Sequence, residues 1–229
     1  MNSTTARTKV WPWPVRFAHY NLLLCLPLLL LTGNMGWLYW HAALGLWLMA
    51  VLLFRVTYAL MVTDYASFRS LLYSPIASLS YLWSVIRAKE VQPYPGHNPA
   101  GSNMVLLLWG LLLLQIGLGL FSSGTIFYQG PLAHWISFEL SLQLTDWHKQ
   151  MPGVLLVLIA LHIAAVLWTQ FALKERILKA IFVDGKKEGQ FATGRLDARA
   201  MWIALSIAML LLAVVVGLGY QGGFWRLIP

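Results

Sequence analysis

Residues 147–169 read WHKQMPGVLLVLIALHIAAVLWT, a run long and apolar enough to cross a membrane as one helix. Two histidines interrupt this run, His148 at its beginning and His162 deep inside it, 14 residues apart. At about 100° and 1.5 Å per residue, they share one face of a helix at levels ~21 Å apart. Because a titratable side chain inside a membrane span is costly, both positions indicate functional sites.

The composition places the whole chain among integral membrane proteins. Of its 229 residues, 59% are hydrophobic and 10% are charged, whereas about a quarter of the residues in a soluble domain are charged. The single cysteine, Cys25, allows no disulfide within the chain, and no C-x-x-C-H haem-attachment motif is present. Most of the net charge of +8 falls between apolar runs. Positive charge placed between spans sets the orientation in the membrane and contacts lipid headgroups. We therefore expect no nucleic-acid partner.

Five apolar runs predict spanning helices near residues 15–35, 40–62, 103–121, 147–169 and 201–220. The expected fold is an all-α membrane protein, with a four-helix transmembrane bundle followed by a fifth C-terminal helix. Ser74 and Pro75 are typical of a helix cap and a first-turn proline. The apolar spacing after them predicts a helix lying on the membrane surface near residues 75–88.

The distribution of lysine and arginine predicts the orientation. The N-terminal segment and the second-to-third and fourth-to-fifth connections hold 14 of the 16 basic residues, and only Lys149 and Arg226 lie on the other side. Cytoplasmic segments carry the excess of basic residues in membrane proteins. We therefore expect a multi-pass protein of the bacterial inner (cytoplasmic) membrane, with its N-terminus cytoplasmic and its C-terminus periplasmic.

Four histidines form two pairs by depth. His41 and His148 both open a span on the outer side, whereas His19 and His162 lie nearer the inner side. The path from His19 to His41 gives a difference in level of very roughly 20–25 Å, in agreement with the value for the fourth span. Six-coordinate haem iron takes two axial imidazoles, which different helices of a bundle can supply. These spacings predict two non-covalent haem groups with the four histidines as iron ligands.

The four histidines also permit two simpler interpretations. A lone histidine in a span is often only hydrogen-bonded to a neighbouring helix, but matched levels on two helix pairs favour ligation. A structural zinc site needs four ligands at one level, whereas these lie at two. Arg16 and Arg55 are placed to meet the anionic propionates of the inner haem. Lys149 is either an outer propionate contact or an ordinary interfacial lysine. Small residues in the third span let helices or a flat cofactor approach closely, namely Gly110, Gly117 and Gly119.

The segment GHNPAG before the third span contains His97 and Asn98. Asn98 and Pro99 are typical of a helix cap and a first-turn proline. Alternatively, His97 and Asn98 contact an inner propionate or serve proton transfer at a quinol pocket. His134, in PLAHWISFEL, is expected to be an interfacial surface residue, with a role near the outer haem as the alternative.

The motifs VRFAHY, WHAALG, FR, GHNPAG, WHKQ and LHIAA, in this order, resemble the bacterial cytochrome b561 family. Its superfamily includes the cytochrome b subunits of nickel–iron hydrogenases. The resemblance covers roughly residues 10–183 and implies a four-helix core that binds haem b, with His19, His41, His148 and His162 as ligands. We therefore expect residues 1–183 to form the haem domain. Residues 184–229 would form a basic linker, the fifth helix and a periplasmic tail.

The predicted function is electron transfer across the membrane between the quinone pool and a periplasmic c-type cytochrome or another redox subunit. We expect quinone or quinol to bind near the inner haem and the GHNPAG loop. The outer aromatic residues are expected to dock the partner, namely Phe127, Tyr128, Trp135 and Phe138. The alternatives are a superoxide:quinone oxidoreductase, against which the sparse outer positive charge argues, a hydrogenase-type cytochrome b subunit, and an anchor that carries no electrons. Enzymatic activity and homo-oligomer formation are left open.

Overall fold

The computed structural model describes residues 7–87, 94–125, 128–188, 194 and 196–222. The α-helices of these residues are α1 (Trp13–Asn34), α2 (Leu38–Met61), α3 (Pro75–Ile86), α4 (Pro99–Leu120), α5 (Phe138–Phe171), α6 (Ile177–Lys179) and α7 (Ala198–Gln221). Five of them, α1, α2, α4, α5 and α7, are long and apolar enough to cross a membrane. The predicted fold class, an all-α membrane protein, is confirmed.

Helix α2 is the most enclosed of the five spans. In its most hydrophobic stretch 56% of the residues are buried, against 22% in α1 and less in the others. The other spans expose large apolar side chains over much of their length, as expected of helices that face lipid.

Helix α5 begins at Phe138, earlier than the predicted start at residue 147. The Ser137 hydroxyl accepts from the Leu140 N–H at 3.3 Å, and Glu139 lies in the first turn. Both features favour a helix start. The early turns are fixed by the buried Ser141, whose hydroxyl donates to the Phe121 carbonyl at 2.7 Å. Because these turns are more polar than a lipid-facing span, the hydropathy pattern predicted a loop here.

Helix α3 begins where the sequence predicts. The Ser74 hydroxyl accepts from the Ala77 N–H at 3.2 Å, and Pro75 is the first helical residue. The buried Ser78 donates to the Pro99 carbonyl at 2.8 Å and so holds α3 against the start of α4. The apolar side chains of the opposite face are exposed, namely Ile76, Leu79, Leu82, Trp83 and Ile86. Contact of this face with the membrane surface stays a prediction.

Among the described residues, four short strands were not predicted: β1 (Arg7–Lys9), β2 (Ser123–Thr125), β3 (Tyr128–Gln129) and β4 (Lys186–Glu188). β1 pairs antiparallel with β4, and β2 pairs with β3. Next to the β1–β4 pair, the N–H groups of Val10 and Trp11 donate to the Gly185 carbonyl at 2.7 and 3.0 Å. Gly185 has a φ of +70°, and a Cβ there would lie 2.5 Å from the Trp11 carbonyl oxygen, so this junction requires glycine.

The chain divides into two compact units. The first unit is Met1–Tyr20, Arg55–Leu108 and Leu158–Ile203, and the second unit is Asn21–Phe54, Trp109–Val157 and Ala204–Pro229. The predicted inner histidines belong to the first unit and the predicted outer histidines to the second. The predicted boundary between residues 183 and 184 is a different division of the chain and stays a prediction.

Candidate functional site

His41 and His148, the predicted outer pair, lie next to each other in the second unit. Their ring centroids lie 5.9 Å apart, and the ring planes are inclined by 87°. Two imidazoles on opposite sides of one metal, at the usual metal–nitrogen distance of ~2.0–2.1 Å, have ring centroids about 6 Å apart. His41 lies in the first turn of α2 and His148 in α5. Two different helices therefore supply rings at a separation that suits one metal ion between them.

Backbone carbonyl groups orient both rings. Nδ1 of His41 donates to the Leu29 carbonyl oxygen at 3.0 Å, and Nδ1 of His148 donates to the Gln115 carbonyl oxygen at 3.0 Å. Because a carbonyl oxygen only accepts, Nδ1 carries the proton and Nε2 of the neutral ring keeps its lone pair. Metal-bound histidines almost always donate their second ring nitrogen to such an acceptor. Both rings are thus prepared to bind a metal through Nε2.

Gln115 holds the backbone of His148 as well as its ring. Pro152, inside α5, has no N–H, so the His148 carbonyl four residues earlier lacks its usual helical donor. The Gln115 side-chain amide donates to this carbonyl at 3.0 Å. Sequence analysis did not identify Gln115. The signal that points to its role is a proline four residues after a candidate ligand, which leaves a carbonyl in need of a donor.

Glycines stand where the two rings approach the neighbouring helices. A Cβ at Gly33 would lie 3.2 Å from both Cε1 and Nδ1 of His41. A Cβ at Gly119 would lie 2.9 Å from Cε1 of His148. Gly119 is one of the small residues predicted to permit close approach, whereas Gly33 was missed.

His19 and His162, the predicted inner pair, lie together in the first unit. Their rings are close enough to interact electrostatically. Nδ1 of His19 is buried and has no hydrogen-bond partner among the described residues. Phe182 contacts the His19 ring edge-on, with centroids 5.4 Å apart and planes inclined by 75°. A buried ring nitrogen without a protein partner suits a cofactor or metal contact.

Protein side chains alone do not complete a metal site in the described part of the chain. Within those residues, no group of three or more His, Cys, Asp or Glu side chains is arranged to hold a metal ion. Each histidine pair offers two nitrogens, which is the number that a haem requires from the protein when both axial positions are filled. The donor set therefore fits haem iron and does not fit structural zinc.

Arg16 fastens a turn of the chain beside His19. Its Nε donates to the Ile181 carbonyl at 3.0 Å, and its Nη2 donates to the Val183 carbonyl at 2.7 Å. The Tyr20 hydroxyl donates to the Phe182 carbonyl at 2.7 Å. Arg16 and Tyr20 thus hold the π-helical turn Ala180–Asp184, which carries the ring that contacts His19. Binding of a propionate by Arg16 stays a prediction.

Arg55 is a buried cation near the end of α2. Its side chain is 4% exposed, and its Nη1 donates to the Ala66 carbonyl at 3.2 Å. Tyr58 and Asp64 interact with it electrostatically. These contacts fix the connection that follows α2, and the predicted propionate contact stays a prediction.

Asn98 caps α4, which was one of the two interpretations that the sequence allowed. Its Oδ1 accepts from the Gly101 N–H at 2.7 Å, and Pro99 is the first residue of the helix. Its Nδ2 donates to the Tyr81 hydroxyl at 2.9 Å. Burial raises the pKa of Tyr81 to about 12, so this hydroxyl is neutral at physiological pH. The cap is confirmed, and a cofactor contact of Asn98 stays a prediction.

His97, beside this cap, packs against Trp11, with ring centroids 4.8 Å apart. One helical turn further along α4, Ser102 is fully buried. Its hydroxyl has no hydrogen-bond partner among the described residues. Sequence analysis did not identify Ser102, because a serine in a span is too common to indicate a site.

On the predicted outer side, Lys149 and His134 are both exposed. His134 contacts Trp135 and lies against Gly222, where any Cβ would overlap its ring. The exposure of His134 agrees with the surface position expected for it. Of the predicted docking residues, Trp135 and Phe138 are exposed and Tyr128 is half-buried. Phe127, and the basic Arg226 used for the orientation, lie outside the described residues.

A family model described as prokaryotic cytochrome b561 matches residues 10–183, well over half of the chain. No curated protein and no solved structure matches the chain. The matched range contains the four histidines, both glycines beside them and Gln115.

Proposed function

The chain belongs to the prokaryotic cytochrome b561 family, and from this membership we propose a di-haem cytochrome that transfers electrons across the membrane. It is a multi-pass bacterial membrane protein and a b-type cytochrome of electron transfer. The proposal adds that it holds two haem b groups and connects the quinone pool with a periplasmic or membrane-bound redox partner.

The arrangement of His41 and His148 is the observation that carries the proposal. Two imidazoles with centroids 5.9 Å apart, each with Nδ1 committed to a carbonyl, present both Nε2 atoms as ligands. A haem between them supplies one-electron exchange between ferric and ferrous iron. Because both rings are neutral, ligation costs no buried charge on the protein.

The second haem is assigned to His19 and His162. Support comes from their electrostatic contact and from the buried Nδ1 of His19, which has no partner among the described residues. The uninterrupted helix α5 carries one ligand of each proposed pair, His148 and His162. A single helix thus contributes to both haem sites.

Charged side chains near the pairs are assigned to the haem propionates. Arg16 and Arg55 belong to the first unit with the inner pair, and Lys149 follows His148 directly. An arginine guanidinium suits a carboxylate because it offers several N–H donors in one plane.

Quinone is placed at the GHNPAG loop. His97, whose ring packs against Trp11 beside the cap of α4, is the candidate for proton exchange with quinol, because an imidazole both accepts and donates a proton near neutral pH. The buried hydroxyl of Ser102, one turn into α4, supplies a further polar group in this apolar part of the chain. A quinone ring needs such a combination of apolar walls and a few polar atoms.

The orientation is proposed from the basic residues, of which 14 of 16 lie in segments assigned to the cytoplasm. Reporter fusions after residue 188 and after residue 222 test it. A periplasmic reporter should be active only at the second position, and the reverse result would invert the proposal.

A reduced-minus-oxidised spectrum of the purified protein, with a pyridine haemochrome count, tests the function. We expect b-type bands and about two haem groups per chain. Oxidised protein should be reduced by a quinol in detergent solution. Absence of b-type bands would contradict the cofactor assignment, and haem that quinol fails to reduce would contradict the quinone assignment.

A further inference from the structure

We infer that Gly33 and Gly119 are positioning residues of the outer haem site, because they let the Nδ1–H groups of His41 and His148 reach backbone carbonyls. The inference rests on the proposed ligand roles of these two histidines. Neither glycine provides an atom to the cofactor. Each acts by the absence of a side chain at the point where an imidazole meets a neighbouring helix.

The same local arrangement occurs twice in the second unit. The His41 ring donates a hydrogen bond to the Leu29 carbonyl of α1, and Gly33 is four residues after Leu29. The His148 ring bonds to a carbonyl of α4, that of Gln115, and Gly119 is four residues after it. In a helix the N–H of residue i+4 already points at the carbonyl of residue i. A second donor from outside must therefore approach beside residue i+4.

A Cβ at either glycine would stand in the way of this second donor. At Gly119 it would lie 2.9 Å from Cε1 and 3.3 Å from Nδ1 of His148. At Gly33 it would lie 3.2 Å from Cε1 and from Nδ1 of His41. The backbone of His148 cannot readily shift to make room, because its carbonyl is held by the Gln115 side chain at 3.0 Å. Alanine at position 119 therefore displaces the His148 ring from its acceptor, and alanine at position 33 requires a shift of the His41 ring by a few tenths of an ångström.

Loss of this hydrogen bond changes the redox potential of the iron and the strength of its ligation. An imidazole that donates Nδ1–H to a carbonyl is a more basic ligand, which favours ferric over ferrous iron. A ring displaced from the carbonyl binds iron more weakly and at a different inclination to its partner. Gly119→Ala and Gly33→Ala should therefore raise the midpoint potential of the outer haem or release that haem.

The experiment is a redox titration with EPR spectra and haem counts of the full-length protein. Gly119→Ala, with the closer contact, should shift the outer potential more than Gly33→Ala does. The matched control is Gly217→Ala in α7, where an added Cβ meets nothing within 4 Å. It should leave the potential, the spectrum and the haem count unchanged. The inner haem should keep its potential in all three variants and so report an intact fold.

The outcomes separate this inference from the proposed function. Wild-type protein without haem would refute the function itself. Wild-type protein with two haems, but with an unchanged outer potential and EPR signal in both Gly119→Ala and Gly33→Ala, would refute the positioning role alone. If Gly119→Ala does not accumulate in the membrane, Gly33→Ala decides, because its 3.2 Å contact requires a smaller displacement.

Discussion

Gln115 and His148 form two hydrogen bonds with each other, because the side chain of each donates to the backbone carbonyl of the other at 3.0 Å. The bond from Gln115 takes the place of the helical bond that Pro152 cannot make. Gln115→Leu leaves the His148 carbonyl without a donor and should destabilise the holoprotein by about 1–3 kcal/mol. Reversible unfolding in mixed detergent micelles, followed by haem absorbance, measures this loss.

Pro152→Ala should relieve part of the cost of Gln115→Leu. Residue 152 then has an N–H that points at the His148 carbonyl, so the coupling in a double-mutant cycle should be about 1 kcal/mol. Gln143→Leu, at an exposed position of the same helix, is the matched control and should show no coupling with Pro152→Ala. A Gln115–Pro152 coupling as small as that of the control would show that proline is not the reason for the contact.

The 87° inclination between the rings of His41 and His148 predicts a spectroscopic signature. Low-spin ferric haem with perpendicular axial imidazoles gives a highly anisotropic EPR signal at larger g than haem with parallel rings. Oxidised protein should show this signal, and it should vanish in His41→Ala and in His148→Ala. His134→Ala, at an exposed histidine, should keep it. If the signal persists in both ligand variants, it does not come from a haem bound by His41 and His148.

Removal of an inner ligand should empty one site and spare the other. In His162→Ala and in His19→Ala the haem count should fall from about two to about one per chain, because both axial positions are needed for a stable low-spin site. The signal of the perpendicular pair should remain. Loss of both haems, in variants that still reach the membrane in normal amounts, would contradict two independent pairs.

Asn98 offers a way to separate stability from a role in quinone binding. Asn98→Ala removes the cap of α4 and should cost about 1 kcal/mol. Asn98→Asp keeps the acceptor for the Gly101 N–H and loses only the donor to Tyr81, so it should be the more stable of the two. Asn34→Ala, at an exposed amide, serves as the control. If Asn98→Asp abolishes reduction by quinol at wild-type stability, a direct cofactor contact is the better explanation.

Depth along the membrane was the part of the site that the sequence could predict. The rise of a helix converts position in a span into a level, so the partners of His148 and His162 could be named from spacing. His41 does meet His148, and His19 does interact with His162. The Asn98 cap and the start of α3 at Pro75 followed from local signals within a few residues.

The rotation of each helix could not be predicted. The few polar residues of α1 and α4 do not form a stripe along one face, so they do not show which carbonyl faces a histidine. The acceptors Leu29 and Gln115, and the glycines beside them, depend on that rotation. The early start of α5 was missed for a related reason, because Ser141 and Thr145 are buried through hydrogen bonds rather than through apolar character. The β1–β4 pair was missed because its two segments are short and nearly 180 residues apart.

That same pair orders the events of biosynthesis. Residues 7–9 leave the ribosome long before residues 186–188, with which they pair. Until then β1 lacks its partner strand, and the turn Ala180–Asp184, to which Arg16 donates hydrogen bonds, has not yet been synthesised. By the time both form, the helices that carry all four histidines, α1, α2 and α5, have already been translated. The N-terminal strand and Arg16 therefore gain these partners only after all four histidines have been synthesised, and Ala204–Pro229 of the second unit is made later still.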